Sequence, residues 1–95
     1  MTVEEFKALD APSKLSLPLQ ALWYNAQGEW EPAHELAQAA ANPEGDRVHA
    51  YLHRKAGDKS NARYWYAQAD RPEWHGSLAA EWSAIATELL ANQQR

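Results

Sequence analysis

The sequence predicts an all-α fold, and three observations predict it. First, "GEWEPA" at 28–33 returns as "GDKSNA" at 57–62: a glycine, an acid, three variable residues and an alanine, with the two glycines 29 positions apart. Second, apolar residues recur at helical spacing, most plainly Leu78, Trp82, Ile85 and Leu89. Third, no stretch reads as a strand. "YWY" at 64–66 has β-propensity, but it lies between Ala62 and Ala69 at helical spacing. The repeated phrase implies two helix–turn–helix units, about 16–41 and 46–69, flanked by a short N-terminal helix and a C-terminal capping helix at about 77–91. All of 1–95 forms one domain on this reading.

Each element has its own start and stop. Thr2 and Glu5 form a capping box, and Val3, Phe6 and Leu9 give a short amphipathic segment broken near Pro12. Ser16 can cap a second helix running to about Gln27, with Pro18 tolerated in its first turn. Gly28 ends that helix in the left-handed conformation. Pro32 suits the first turn of a third helix carrying Ala33, Leu36, Ala37 and Ala40, which "NPEG" closes. Asp46 is expected to cap a fourth helix through about Ala56, ended by Gly57. Ser60 is expected to cap a fifth through about Ala69. "DRPEWHG" is a loop, and Ser77 caps the last helix.

The bulk composition narrows the functional classes. The net charge is −4, whereas neutralising phosphates needs a basic face, so nucleic acid is not an expected partner. The chain has no cysteine, which excludes a disulfide framework and a thiolate metal site. "MTVEEFKALD" carries acids where a signal peptide needs bases, and no segment approaches 18 apolar residues. The expectation is a cytoplasmic protein without a membrane partner. Neither a GxSxG elbow nor a Gly-rich phosphate loop is present, so no cofactor is expected, and an enzyme is only the third expectation, without a motif to support it.

Aligning Gly28 with Gly57 also aligns Ala21 with Ala50, Ala33 with Ala62 and Ala40 with Ala69. Small residues at these places suit helices that cross closely. "LWYNAQGEWEPAHELAQA" resembles a tetratricopeptide repeat, and Ala62, Tyr66 and Ala69 match the alanine–aromatic–alanine ladder of its second helix. The resemblance covers about 16–70. It departs in its period, 29 against about 34, and in His53, which stands where a tyrosine is usual. "HAYLHRKAGDKSNARYWYAQA" and "ALWYNAQGEWEPAH" are also similar to a group of small bacterial proteins that has no assigned activity.

The tetratricopeptide resemblance implies a groove lined by the first helix of each unit. Its residues here are Leu22 and Asn25 in the first unit, and Arg47, Tyr51, Arg54 and Lys55 in the second. Such a strip would grip a protein or an acidic peptide, which makes an adaptor the leading expectation. The second expectation is a metal or small-molecule site. His49 and His53 lie one helical turn apart, the spacing of a two-histidine metal pair, with His34 or Glu35 as a third ligand. "HAYLH" lacks the glutamate of HExxH, so no general base is built in. Asn61, Tyr64, Trp65 and Gln68 could share a face as a polar and aromatic platform. Trp30, at the turn, is expected between helices. Trp74 either docks on Tyr66 and the last helix or stands exposed, and in the second case a weak homodimer would cover it.

Overall fold

Thr2 begins the first helix as the sequence requires. Its side chain accepts the Glu5 N–H, and the Glu5 carboxylate accepts the Thr2 N–H at 2.8 Å. In a computed structural model describing residues 1–93, six helices follow one another without a strand among the described residues. They are α1 (Val3–Lys7), α2 (Leu17–Ala26), α3 (Trp30–Ala40), α4 (Pro43–Lys55), α5 (Lys59–Gln68) and α6 (Leu78–Gln93). The all-α class holds. No helix among the described residues is long and apolar enough to cross a membrane.

The two glycines make the same turn. Gly28 has φ 82° and Gly57 φ 83°. In the first turn the Gly28 N–H meets the Asn25 carbonyl and the Glu29 N–H meets that of Tyr24. In the second, Gly57 meets Arg54 and Asp58 meets His53. Both are Schellman closures, which satisfy the last carbonyls of a helix and need a left-handed residue at the glycine position. A third copy ends α5, where Asp70 takes φ 56°, its N–H meets Ala67 and the Arg71 N–H meets Tyr66. Aspartate tolerates this conformation better than most residues, which is why the sequence shows no glycine there.

Two helix starts differ from expectation. "NPEG" opens α4 and does not close α3. The Asn42 side chain accepts the Gly45 N–H at 2.7 Å, and Pro43 occupies a first-turn position where its missing N–H costs nothing. Asp46 therefore lies inside the first turn and is not the cap. The reversal itself falls on Ala41, at φ 46°. A Cβ on Gly45 would lie 2.5 Å from that of Ala40, so the absence of a side chain lets α4 start against the end of α3. Likewise Asp58, and not Ser60, caps α5, accepting the Asn61 N–H. An acid one residue past the turn glycine is nearer to the free N–H groups than Ser60 is.

Helix α4 lies against α2, α3, α5 and α6. Ala33 and Ala37 on α3, and Ala50 and Ala62 on α4 and α5, are buried at these contacts. Helix α6 runs beside α4, α2 and α1. Its stripe of Trp82, Ile85 and Leu89 joins Leu19, Leu22, Val48, Leu52 and Phe6 in the main core. Burying a leucine or phenylalanine of this kind contributes about 1.5–3 kcal/mol. The Trp82 indole donates to the Leu22 carbonyl at 3.1 Å and stacks on Phe6. Glu81, on the same buried stripe, is 2% exposed. It pairs with Arg54 at 3.0 Å and accepts the Tyr66 hydroxyl. Burial and this hydrogen bond to Glu81 push the Tyr66 phenol well up.

Two stability tests follow from these contacts. Gly57→Val should lower the unfolding free energy in urea by about 1–2 kcal/mol, because no Cβ suits that backbone, and Asp70→Gly should raise it by up to about 1 kcal/mol. A Gly57→Val loss within the scatter of ordinary surface changes would contradict the turn. Glu81→Ala strands Arg54 and Tyr66 and should cost about 3 kcal/mol. Glu88→Ala removes an exposed partner of Arg47 and should cost under about 1 kcal/mol. Equal losses for the two variants would show that Glu81 is not a buried anchor.

Candidate metal centre

Helix α4 sets His49 and His53 one turn apart, and α3 brings His34 to meet them. The close α3–α4 start at Gly45 and the small side chains at Ala33 and Ala37 allow that approach. Nε2 of His49 lies 2.9 Å from Nε2 of His34, so one ring donates and the other accepts. Ring centroids are 4.6 Å apart for His34–His49, 4.8 Å for His49–His53 and 5.2 Å for His34–His53. One nitrogen from each ring falls within 4.8 Å of the others.

Two indoles wall the cluster. Trp65 of α5 stacks on His49 with centroids 3.9 Å apart. Trp30 stacks on His34 at 4.8 Å and presents its edge to His53 at 6.0 Å. The Trp30 ring is held by its own N–H, which donates to the Leu52 carbonyl at 2.9 Å. His49 is 2% exposed, while His34 and His53 are half-buried. Nδ1 of His49 is buried and meets no hydrogen-bond partner. An unpaired buried polar atom costs about 1–3 kcal/mol, and it lies on the far side of the ring from the Nε2 that faces His34.

The electrostatics favour neutral imidazole. Burial holds the pKa of His49 down to about 4, and the neighbouring charges of His34 and His53 act in the same direction. His53 is also lowered, by burial first and His34 second, with Asp58 opposing. Neutral imidazole is the form that binds metal. What the arrangement can do is therefore hold a cation on three nitrogen donors from two helices.

The other expected residues divide between two faces. Leu22 is buried beneath Trp82. Asn25 is buried and accepts the Tyr51 hydroxyl at 3.2 Å, and burial followed by the charge of Glu81 pushes the Tyr51 phenol up to about 12. Arg47 pairs with Glu88, and Arg54 with Glu81. Lys55 is exposed at the end of α4. The strip thus faces the chain's own acidic helix over most of its length. Asn61 is tied to Asp58 at 2.7 Å, Tyr64 is 56% exposed, and Trp65 turns in towards His49. The Tyr64 and Trp65 rings meet edge to face, with centroids 5.0 Å apart. Glu35 is exposed and outside the histidine cluster. Trp74 is half-buried, packed on the Ala50–Ala62–Tyr66 cluster, with its N–H on the Ser77 carbonyl.

Sequence reasoning missed the indole walls and Glu81. Trp30 precedes His34 by four positions, one helical turn, which was a usable signal for their stacking. Glu81 follows Leu78 by three and precedes Ile85 by four, so its place on the buried stripe was readable too. The stacking of Trp65 on His49 depends on the crossing of α5 over α4, which no local pattern encodes. No protein-family model, curated protein or solved structure matches this chain.

The lowered histidine fixes the sign of a pH response. Between pH 6.5 and about 4 the unfolded chain binds a proton at His49 that the fold refuses, so stability falls as pH drops through this window. The slope should approach at most about 1.4 kcal/mol per pH unit for each such histidine. Carboxylates held low, such as Glu88 and Asp58, act below their ordinary values of 4.5 and 3.8, outside the upper part of the window. Urea midpoints from pH 7.5 to 5 should decline in the native chain and decline less steeply in His49→Gln, where His53 still contributes. A flat native profile would contradict a neutral, buried His49.

Proposed function

We propose that this chain binds a transition-metal ion at His34, His49 and His53. The observation that carries the reading is the convergence of three imidazole nitrogens within 4.8 Å, drawn from two helices. The facing Nε2 atoms of His34 and His49, 2.9 Å apart, add to it. Three histidines are a sufficient protein donor set for zinc, copper or nickel. None of the cluster's ring contacts involves a residue of α6.

A peptide-binding adaptor is the second reading. Two helix pairs closed by the same turn support a tetratricopeptide-like arrangement, in which Leu22, Asn25, Arg47, Tyr51, Arg54 and Lys55 would line the groove. An acidic peptide would then replace Glu81 and Glu88 of α6 on Arg54 and Arg47. That exchange uncovers Trp82, Ile85 and Leu89, so the adaptor reading carries a cost that the metal reading does not.

Melting curves discriminate the two. A metal at 100 times its dissociation constant stabilises the fold by about 2.7 kcal/mol, which corresponds to roughly 10 °C or more in a chain of this size. Micromolar Cu²⁺, Zn²⁺ or Ni²⁺ should raise the melting temperature. EDTA should reverse the rise, and His53→Ala, at a half-buried ligand, should abolish it. A melting temperature indifferent to all three ions would overturn the metal reading and leave the adaptor.

A further inference from the structure

The geometry points to a monovalent soft ion, cuprous copper, as the ion this site selects, an inference that rests on the metal reading above. Charge supplies the main argument. His34, His49 and His53 form the cluster of possible ligands by themselves, with no carboxylate joining them among the described residues. The chain has no thiolate to offer. Neutral donors leave the full charge of the ion uncompensated. The cost of moving an ion out of water grows as the square of its charge, so a divalent ion pays about four times what a monovalent one does.

The surroundings sharpen that difference. Asp58, the carboxylate that acts electrostatically on His53, has its oxygens taken by the Asn61 N–H and amide. Trp30 and Trp65 stack on the rings of His34 and His49, so the ligands' neighbours there are apolar indoles that carry no charge to offset the ion's. Zinc in a three-histidine site also needs a fourth ligand from solvent, and it relies on carboxylates or carbonyls that hold the far ring nitrogens and raise their basicity. The far nitrogen of the central ligand, Nδ1 of His49, has no such partner. A cuprous ion needs no fourth ligand, and imidazole suits copper.

Anaerobic competition tests the inference. The full chain is titrated with Cu⁺ held by bicinchoninate under ascorbate, with Ag⁺ as a redox-inert ion of the same charge, and with Zn²⁺ held by a colorimetric chelator. Cu⁺ is expected to bind at least 100-fold more tightly than Zn²⁺, and Ag⁺ also more tightly than Zn²⁺. His34→Ala and His53→Ala, each checked for native helix content by circular dichroism, should each weaken Cu⁺ at least 10-fold. Zn²⁺ binding as tightly as Cu⁺ at the same histidines would overturn the selectivity while leaving the metal site intact. Absence of binding by any of the three ions would overturn both.

Discussion

Helix α4 is enclosed by α2, α3, α5 and α6, and this enclosure is the constraint on which the other arrangements depend. A helix in that position cannot send its polar side chains to water on every side. Each must find a partner within the fold or remain unpaired at a cost. Its sequence, "PEGDRVHAYLHRK", nevertheless carries two arginines and two histidines. The two sides of the helix meet that demand differently.

Towards α2 and α6 the demand is met. Arg54 has Glu81 and the Gly76 carbonyl, Arg47 has Glu88, and Tyr51 has Asn25. Glu81 is 2% exposed and holds both Arg54 and Tyr66, so one carboxylate of α6 links α4, α5 and α6. Buried ion pairs of this kind add little net stability over an apolar core, but they penalise any packing that separates the partners. They thereby fix the register of α6 on α4. Towards α3 and α5 the imidazoles satisfy one another only in part, with stacked indoles on both sides. The contrast within one helix gives the histidine cluster its significance. A fold that pairs its arginines so fully leaves one buried imidazole nitrogen without a partner.

The turns were the most legible part of the sequence, because a glycine required at positive φ is a local fact that one residue reveals. The capping box at Thr2 and the cap at Ser77 were legible for the same reason. The starts of α4 and α5 were harder, since "NPEGD" offers Asn42 and Asp46 and "GDKS" offers Asp58 and Ser60 as caps, and backbone geometry chooses between them. The placement of α6 was not legible. Its apolar stripe shows that it packs, but not that it covers the face carrying Arg47 and Arg54. Only the pairing of acids and bases across 41 and 27 positions records that choice. In the site, the i, i+4 spacing gave His49 and His53, and their meeting with His34 required the α3–α4 approach that Gly45 permits.

The central claim is that the three imidazoles act together as ligands to one ion. X-ray absorption at the metal edge of the loaded full chain tests it most directly. The account predicts three nitrogen scatterers at about 2.0 Å with the outer-shell pattern of imidazole rings, reduced to two in His34→Ala. A first shell dominated by oxygen, or a spectrum unchanged by His34→Ala, would contradict it.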